Sequence, residues 1–159
     1  MTDQTPKPAT AGRILVVDDQ EPMREITGSI LATAEYECLK AASGPEALAL
    51  LESGEKFDLM LTDVMMPEMD GITLLERTKD KYPDMTVVIM STVHDGSVVL
   101  AAIRSGAYDY LLMPFAREAL LDMVRRALDD RSAKLERRAY VSRLEQKVAS
   151  LTDQLRERR

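Results

Sequence analysis

Five short apolar runs alternate with amphipathic stretches of helical length along the chain. The runs fall near 13–17, 36–41, 57–62, 85–90 and 107–112, and the stretches near 22–33, 44–53, 71–81, 95–104 and from 117 onward. Segments such as ILVV, LMLT and VVIM are apolar throughout instead of alternating with polar residues. That is the pattern of parallel strands covered by helices on both faces. Turn-forming residues agree with this division: Gly44 and Pro45 open the second helix, the turn from Pro67 to Asp70 precedes Gly71, Tyr82 and Pro83 close the third helix, and Gly106 closes the fourth. The pattern predicts an α/β fold, a doubly wound five-stranded parallel sheet with an extended C-terminal helix. In such sheets ligands bind at the carboxyl ends of the strands, where the crossover direction reverses.

The last helix departs from the rest. No glycine or proline follows Arg117, and Val141, Leu144, Val148, Leu151 and Leu155 step by three and four residues, as a coiled-coil seam does. Leu128 and Leu135 are a heptad apart but out of register with Val141, which predicts a stutter or a change of packing partner near 137–139. A seam of little more than two heptads is marginal alone. The segment is therefore expected to pair as a homodimer or to continue into a downstream output domain. Organisation on this reading is a disordered leader at 1–12, a globular domain at 13–128 and a helical linker or dimerisation segment at 129–159.

Charge sharpens that division. The formal charge is −6 over 159 residues, but residues 131–159 carry nine basic side chains against four acidic, a local +5 that leaves −11 on the rest. An acidic body argues against nonspecific binding to nucleic acid and suits divalent cations. No helix-turn-helix pattern is apparent, so direct DNA binding is not expected. The single Cys38 precludes an internal disulfide, and no stretch approaches the roughly 20 apolar residues of a membrane span, which makes a reducing cytoplasm the expected setting.

Acidic and hydroxylic residues sit at the ends of the apolar runs: Asp18 and Asp19 after ILVV, Asp63 after LMLT, Ser91 after VVIM. Taken alone, an aspartate pair after a strand is more often a turn or a helix cap. Their convergence on one crevice changes the reading, because three neighbouring carboxylates stay ionised only beside a cation, and hard oxygen ligands suit Mg²⁺. Asp63 is the best candidate nucleophile toward a phosphoryl group, Ser91 can offer a hydroxyl to a phosphoryl oxygen, and Tyr110 on the last strand can move in response. His94 reads as an exposed loop residue, and Met65 with Met66 as solvent-facing loop or partner surface.

The segments RILVVDDQEPMR, FDLMLTDVMMPEMDG, VVIMST and GAYDYLLMPF resemble the receiver domains of two-component response regulators over about residues 13–128. The resemblance implies a (βα)5 flavodoxin-like fold, Asp63 as phosphoacceptor, and Mg²⁺ held by Asp18, Asp19, Asp63 and the Met65 backbone carbonyl. It makes Ser91 the switch hydroxyl and Tyr110 the switch aromatic, with a histidine kinase or phosphotransfer protein as phosphoryl donor. The segment RRAYVSRLEQKVASLTDQLRERR resembles linker helices joining receivers to larger effectors such as cyclic-dinucleotide phosphodiesterase, ATPase or kinase domains.

In that family the fifth strand ends in Lys-Pro with a cis peptide bond; here Pro114 is present and Met113 stands where the lysine would be. Methionine has similar length but neither charge nor donor. Weak or uncoupled phosphorylation with metal binding kept is the expectation; the alternative is a phosphorylation-independent pseudo-receiver that acts as a dimerisation module. Neither is a conventional enzyme, the most chemistry implied being self-catalysed phosphotransfer and dephosphorylation at Asp63. An aspartate-nucleophile phosphatase would want a second carboxylate two residues on, where this chain has Met65. In the family, the side chains at that position and at Val93 flank the path of the attacking water. Both are apolar here, which predicts slow loss of an acyl phosphate.

Overall fold

The computed structural model describes residues 12–157. The leader expected at 1–12 lies outside them except for Gly12, which is buried and whose carbonyl accepts the Glu37 N–H at 3.0 Å. Gly12 therefore belongs with the globular part. Five strands alternate with five helices: β1 (Arg13–Val17), α1 (Glu21–Thr33), β2 (Glu37–Ala41), α2 (Gly44–Glu52), β3 (Leu59–Thr62), α3 (Gly71–Lys81), β4 (Thr86–Ser91), α4 (Gly96–Arg104), β5 (Asp109–Leu112) and α5 (Arg117–Glu157).

All strand pairs are parallel, in the order β2-β1-β3-β4-β5. The chain first builds outward from β1 to β2, then returns across β1 to β3, so the crossover direction reverses between β1 and β3. Alternate residues of each central strand face opposite sides. Leu15, Val17, Met60, Val87 and Ile89 pack with Ala47, Leu51, Leu74, Leu75 and Ala102 of α2, α3 and α4. Ile14, Val16, Leu59, Leu61, Val88 and Met90 pack with Leu31 of α1 and Leu120, Met123, Val124 and Ala127 of α5. Burial on both faces is why β1, β3 and β4 are apolar without alternation. Each fully buried Leu or Ile contributes about 1.5 to 3 kcal/mol.

Four strands start later than the apolar runs suggest, for local reasons; at β4 the Met85 N–H donates to the Tyr82 carbonyl in a turn at 3.0 Å. Tyr36 is held by a turn, its N–H donating to the Leu31 carbonyl after Glu35 at a φ of 69°. Phe57 is buried but precedes the ladder, because Asp58 anchors the approach through its side chain, which accepts the Arg13 N–H at 2.9 Å. Ala107 completes the end of α4 by donating to the Ala102 carbonyl.

Three helices begin on side-chain caps that fix the entry of their loops. Ser43 Oγ accepts from Glu46 N at 3.2 Å ahead of α2. Asp70 accepts from Thr73 N at 2.7 Å ahead of α3, and Asp95 accepts from Ser97 N at 2.9 Å ahead of α4. From 129 to 157, α5 is a helix with Tyr140, Val141, Leu144, Val148, Leu151 and Leu155 exposed. The helix runs unbroken through 137–139, where the seam changes register. Among the described residues no helix is long and apolar enough to cross a membrane.

Candidate functional site

Strand register places the acidic residues. Val17 pairs with Thr62 across the β1 and β3 ladder, so Asp18 and Asp63, one residue on, leave the sheet side by side at its reversal point. Asp63 N–H donates to the Val17 carbonyl at 3.1 Å, and Asp18 N–H to the Ala41 carbonyl at 3.2 Å, so the ladder extends to hold both main chains. Each of Asp18, Asp19 and Asp63 offers a carboxylate oxygen within 4.8 Å of the others. Asp18 is buried, Asp63 half-buried and Asp19 exposed, so the cluster opens to solvent on the Asp19 side.

The electrostatics are those of a site short of positive charge. Burial pushes the Asp18 carboxyl above its ordinary range, and the neighbouring Asp63 and Asp19 push it further, while the Gln20 N–H bonded to Oδ1 at 2.9 Å and the Arg24 guanidinium oppose them. Burial likewise raises Asp63, against hydrogen bonds from the Met65 and Val64 amides and the Ser91 hydroxyl that favour its ionised form. A small, hard, oxygen-seeking cation fits this donor set, since it would offset both the burial and the mutual repulsion.

Asp63 is also fixed from behind. The first residue of α3, Gly71, donates its N–H to the Val64 carbonyl at 2.8 Å, and a Cβ at position 71 would collide with the Asp63 carbonyl group. Only glycine lets α3 approach the end of β3 so closely.

Ser91 ends β4 instead of following it, and it is buried. Val93 links it to Tyr110: Val93 N–H donates to Ser91 Oγ at 3.2 Å, and the Tyr110 hydroxyl donates to the Val93 carbonyl at 2.9 Å. Met113 N–H donates to the Ser91 carbonyl at 2.9 Å, and the Met113–Pro114 peptide bond is cis. The Met113 side chain, however, lies in the apolar cluster of α1 and α5, with 7% of its surface exposed. The structure thus gathers Asp18, Asp19 and Asp63, adds Ser91 to them, and gives the side chain at 113 to the core. Met65 is 66% exposed, and its N–H reaches Asp63 Oδ1 at 3.4 Å; Met66 packs against the α2–α4 cluster, and His94 is exposed.

Arg24 is the residue that sequence reasoning passed over. Its Nη1 donates to the Asp18 main-chain carbonyl at 2.7 Å. The available signal was a basic residue one helical turn beyond Gln20, the turn that faces the strand end.

Residues 14–125 match the family model described as the Response regulator receiver domain. The chain is 37% identical over 117 residues to the DNA-binding transcriptional regulator NtrC of Salmonella typhimurium, covering 74% of this chain and 25% of the relative. It is 30% identical over 135 residues to a cyclic di-GMP phosphodiesterase of Thermotoga maritima, covering 85% and 36%. The chain spans about a quarter of the length of the NtrC relatives it matches. Among solved structures, NtrX from Brucella abortus superposes with a TM-score of 0.76 at 32% identity over 84% of this chain and 30% of that one. The signal receiver domain of an HD domain-containing protein from Pseudomonas fluorescens Pf-5 superposes at 0.73 and 33% identity over 76% and 97%. With a parallel (βα)5 sheet, an acidic cluster at its reversal point and a family match over most of its length, this chain belongs to the response regulator receiver family.

Proposed function

We propose that the chain accepts a phosphoryl group on Asp63 from a histidine kinase or phosphotransfer protein, and that Met113 weakens this acceptance or uncouples it from output. The observation that carries the proposal is the convergence of the Asp18, Asp19 and Asp63 carboxylates at the carboxyl ends of β1 and β3. Asp18, Asp19, Asp63 and the Met65 carbonyl would hold Mg²⁺, which when bound offsets carboxylate repulsion and the charge of the incoming group. An Asp63 carboxylate oxygen attacks phosphorus, the donor's phosphorus–nitrogen bond breaks, and the departing imidazole nitrogen takes a proton from water. Ser91 donates its hydroxyl to a phosphoryl oxygen. Val93, bonded to both Ser91 and Tyr110, carries the rearrangement to the β5 face.

Two arguments support impairment by Met113. A lysine at this point would contribute a charge-assisted contact of about 1.5 to 3 kcal/mol, and methionine contributes none. Its buried side chain also packs in the core, away from any role as a donor. The same observation favours the second reading, a pseudo-receiver working through its last helix without phosphorylation. In both readings residues 129–159 form the linker, which pairs with a second copy through Val141, Leu144, Val148, Leu151 and Leu155 and hands the signal to an effector domain or partner. The free thiol of Cys38 suits a reducing cytoplasm.

Intact mass after incubation with Mg²⁺ and a small acyl-phosphate donor tests the assignment. The parent chain is expected to gain one phosphoryl mass and Asp63→Asn none. Equal gain by both would move the acceptor elsewhere, and no gain by the parent would favour the pseudo-receiver.

A further inference from the structure

The apolar seam of α5 has an odd number of layers. In a heptad repeat that starts at Val141, the three a positions are Val141, Val148 and Leu155, and the two d positions are Leu144 and Leu151. The helix is unbroken through them to Glu157, and all five side chains are exposed. Upstream, the next d position is Arg137 and the next a position Lys134; one heptad beyond Leu151 the sequence has another arginine. Five apolar layers are therefore bracketed by cations.

Direction decides whether five layers can close on a second copy. Two parallel helices set every a position opposite its own equivalent and every d position likewise, so all five layers meet an apolar layer. Reversing one helix sets a opposite d, and three a positions cannot be matched by two d positions. If Leu144 faces Val148 of the second copy, Leu155 faces Arg137, while Glu145 meets Glu145 and Lys147 meets Lys147 across the two-fold axis. Shifted by one heptad, so that Val148 faces Leu151, Val141 faces the arginine beyond the seam. Parallel pairing instead sets Tyr140 beside Glu145 of the second copy and Lys147 beside its Thr152, opposing no like charges along the seam's flanks. Valine at a with leucine at d, as in the first four layers, is also the preference of two-stranded parallel coils. At the head of the seam, Lys134, Arg137, Arg138 and Val141 border an open hollow, and their spacing is that of a hole that receives a partner's side chain. In a parallel pair the side chain offered there is Arg137 of the second copy, and like charges stop the pairing at this point.

We propose that α5 pairs with a second copy of this chain as a parallel, in-register, two-stranded coiled coil over residues 140–155, closed off upstream by the Lys134 and Arg137 layers. The inference rests on the self-pairing in the proposed function and commits it to one direction. Both receiver domains then join the coil at the same end, and the two helices deliver their carboxyl ends side by side, which fits an output that works as a two-fold pair.

Disulfide trapping in the full chain carrying Cys38→Val tests this, with sedimentation velocity on the reduced proteins. Val141→Cys and Leu155→Cys lie far from the axis of any antiparallel pair, and each alone is expected to oxidise mostly to covalent dimer. Mixtures of Val141→Cys with Leu151→Cys, and of Leu155→Cys with Leu144→Cys, with one member of each tagged, are expected to give no mixed covalent dimer. Mixed dimers in either mixture, with Val141→Cys and Leu155→Cys alone unlinked, would overturn the direction while leaving self-pairing in place. A three- or four-chain species would overturn the two-stranded coil. A chain that sediments as a monomer at every concentration would remove self-pairing and this inference with it, whereas phosphoryl gain at Asp63 is read separately.

Discussion

Met113 and its neighbours set the chemistry residue by residue. Apolar Met65 and Val93 flank Asp63 and Ser91 without a group that orders water, so an acyl phosphate on Asp63 should be long-lived, and Met65→Asn should shorten its half-life several-fold in a phosphate-release assay. An unchanged half-life would remove Met65 from the hydrolytic path. Cys38 on β2 gives an independent check of burial. Its thiol is pushed up from 9.0 to about 11, first by burial, with Lys40 partly opposing. Alkylation at pH 8 should therefore run on the order of a hundredfold slower in the folded chain than in the unfolded one. The sign for stability follows from the raised value: the native state holds the proton more tightly, so this contribution is complete below pH 9 and is lost as pH rises through 11. Cys38→Val should flatten that alkaline loss in denaturant titrations.

Legibility also divides by residue. Asp18, Asp19 and Asp63 were readable because each ends an apolar run, and a parallel sheet brings such ends together by register. Arg24 was not readable, since a basic residue on an amphipathic helix reads as solvated until its bond to the Asp18 carbonyl is seen. The destination of the Met113 side chain was equally hidden. Sequence marks the missing charge, but whether a flexible thioether fills the pocket or the core depends on the packing space beside Leu120, Met123 and Val124.

Among the elements, the junction of β3 with α3 governs the site. Gly71 lets the helix start against the Asp63 carbonyl, and Asp70 caps it. Gly71→Ala should cost about 3 kcal/mol in chemical denaturation and disturb Asp63, because the obstacle is backbone and cannot rotate away. Asp70→Ala removes only a cap and should cost about 1 kcal/mol with phosphorylation retained. A Gly71→Ala protein as stable as the parent would mean that α3 can shift freely, contrary to the tight packing described. The strand starts that sequence places too early, at Tyr36, Phe57, Met85 and Ala107, are residues whose apolar side chains pack outside the ladder, the amides of Tyr36, Met85 and Ala107 serving turns or a helix end. Hydrophobicity reports burial and does not distinguish such residues from strand.

For the whole molecule, the receiver fold is shown, and assembly is the open prediction. A Val-and-Leu seam left exposed on a helix would be satisfied by a second copy. Val148→Glu should raise the dimer dissociation constant roughly a hundredfold in sedimentation velocity, since two buried valines of about 1.5 kcal/mol each are lost. A parent chain monomeric at every concentration would remove self-pairing from the account. The seam was readable from its spacing alone; its partner was not, because an isolated chain has the same spacing whatever covers it.

The central claim is that Asp63 is a working acceptor held back by Met113. The most direct measurement is the rate of phosphoryl gain from a small acyl phosphate with saturating Mg²⁺, for the parent and Met113→Lys side by side. The account predicts that lysine accelerates the gain by about 10- to 150-fold, the equivalent of a contact of about 1.5 to 3 kcal/mol. Equal rates in the two proteins would contradict it.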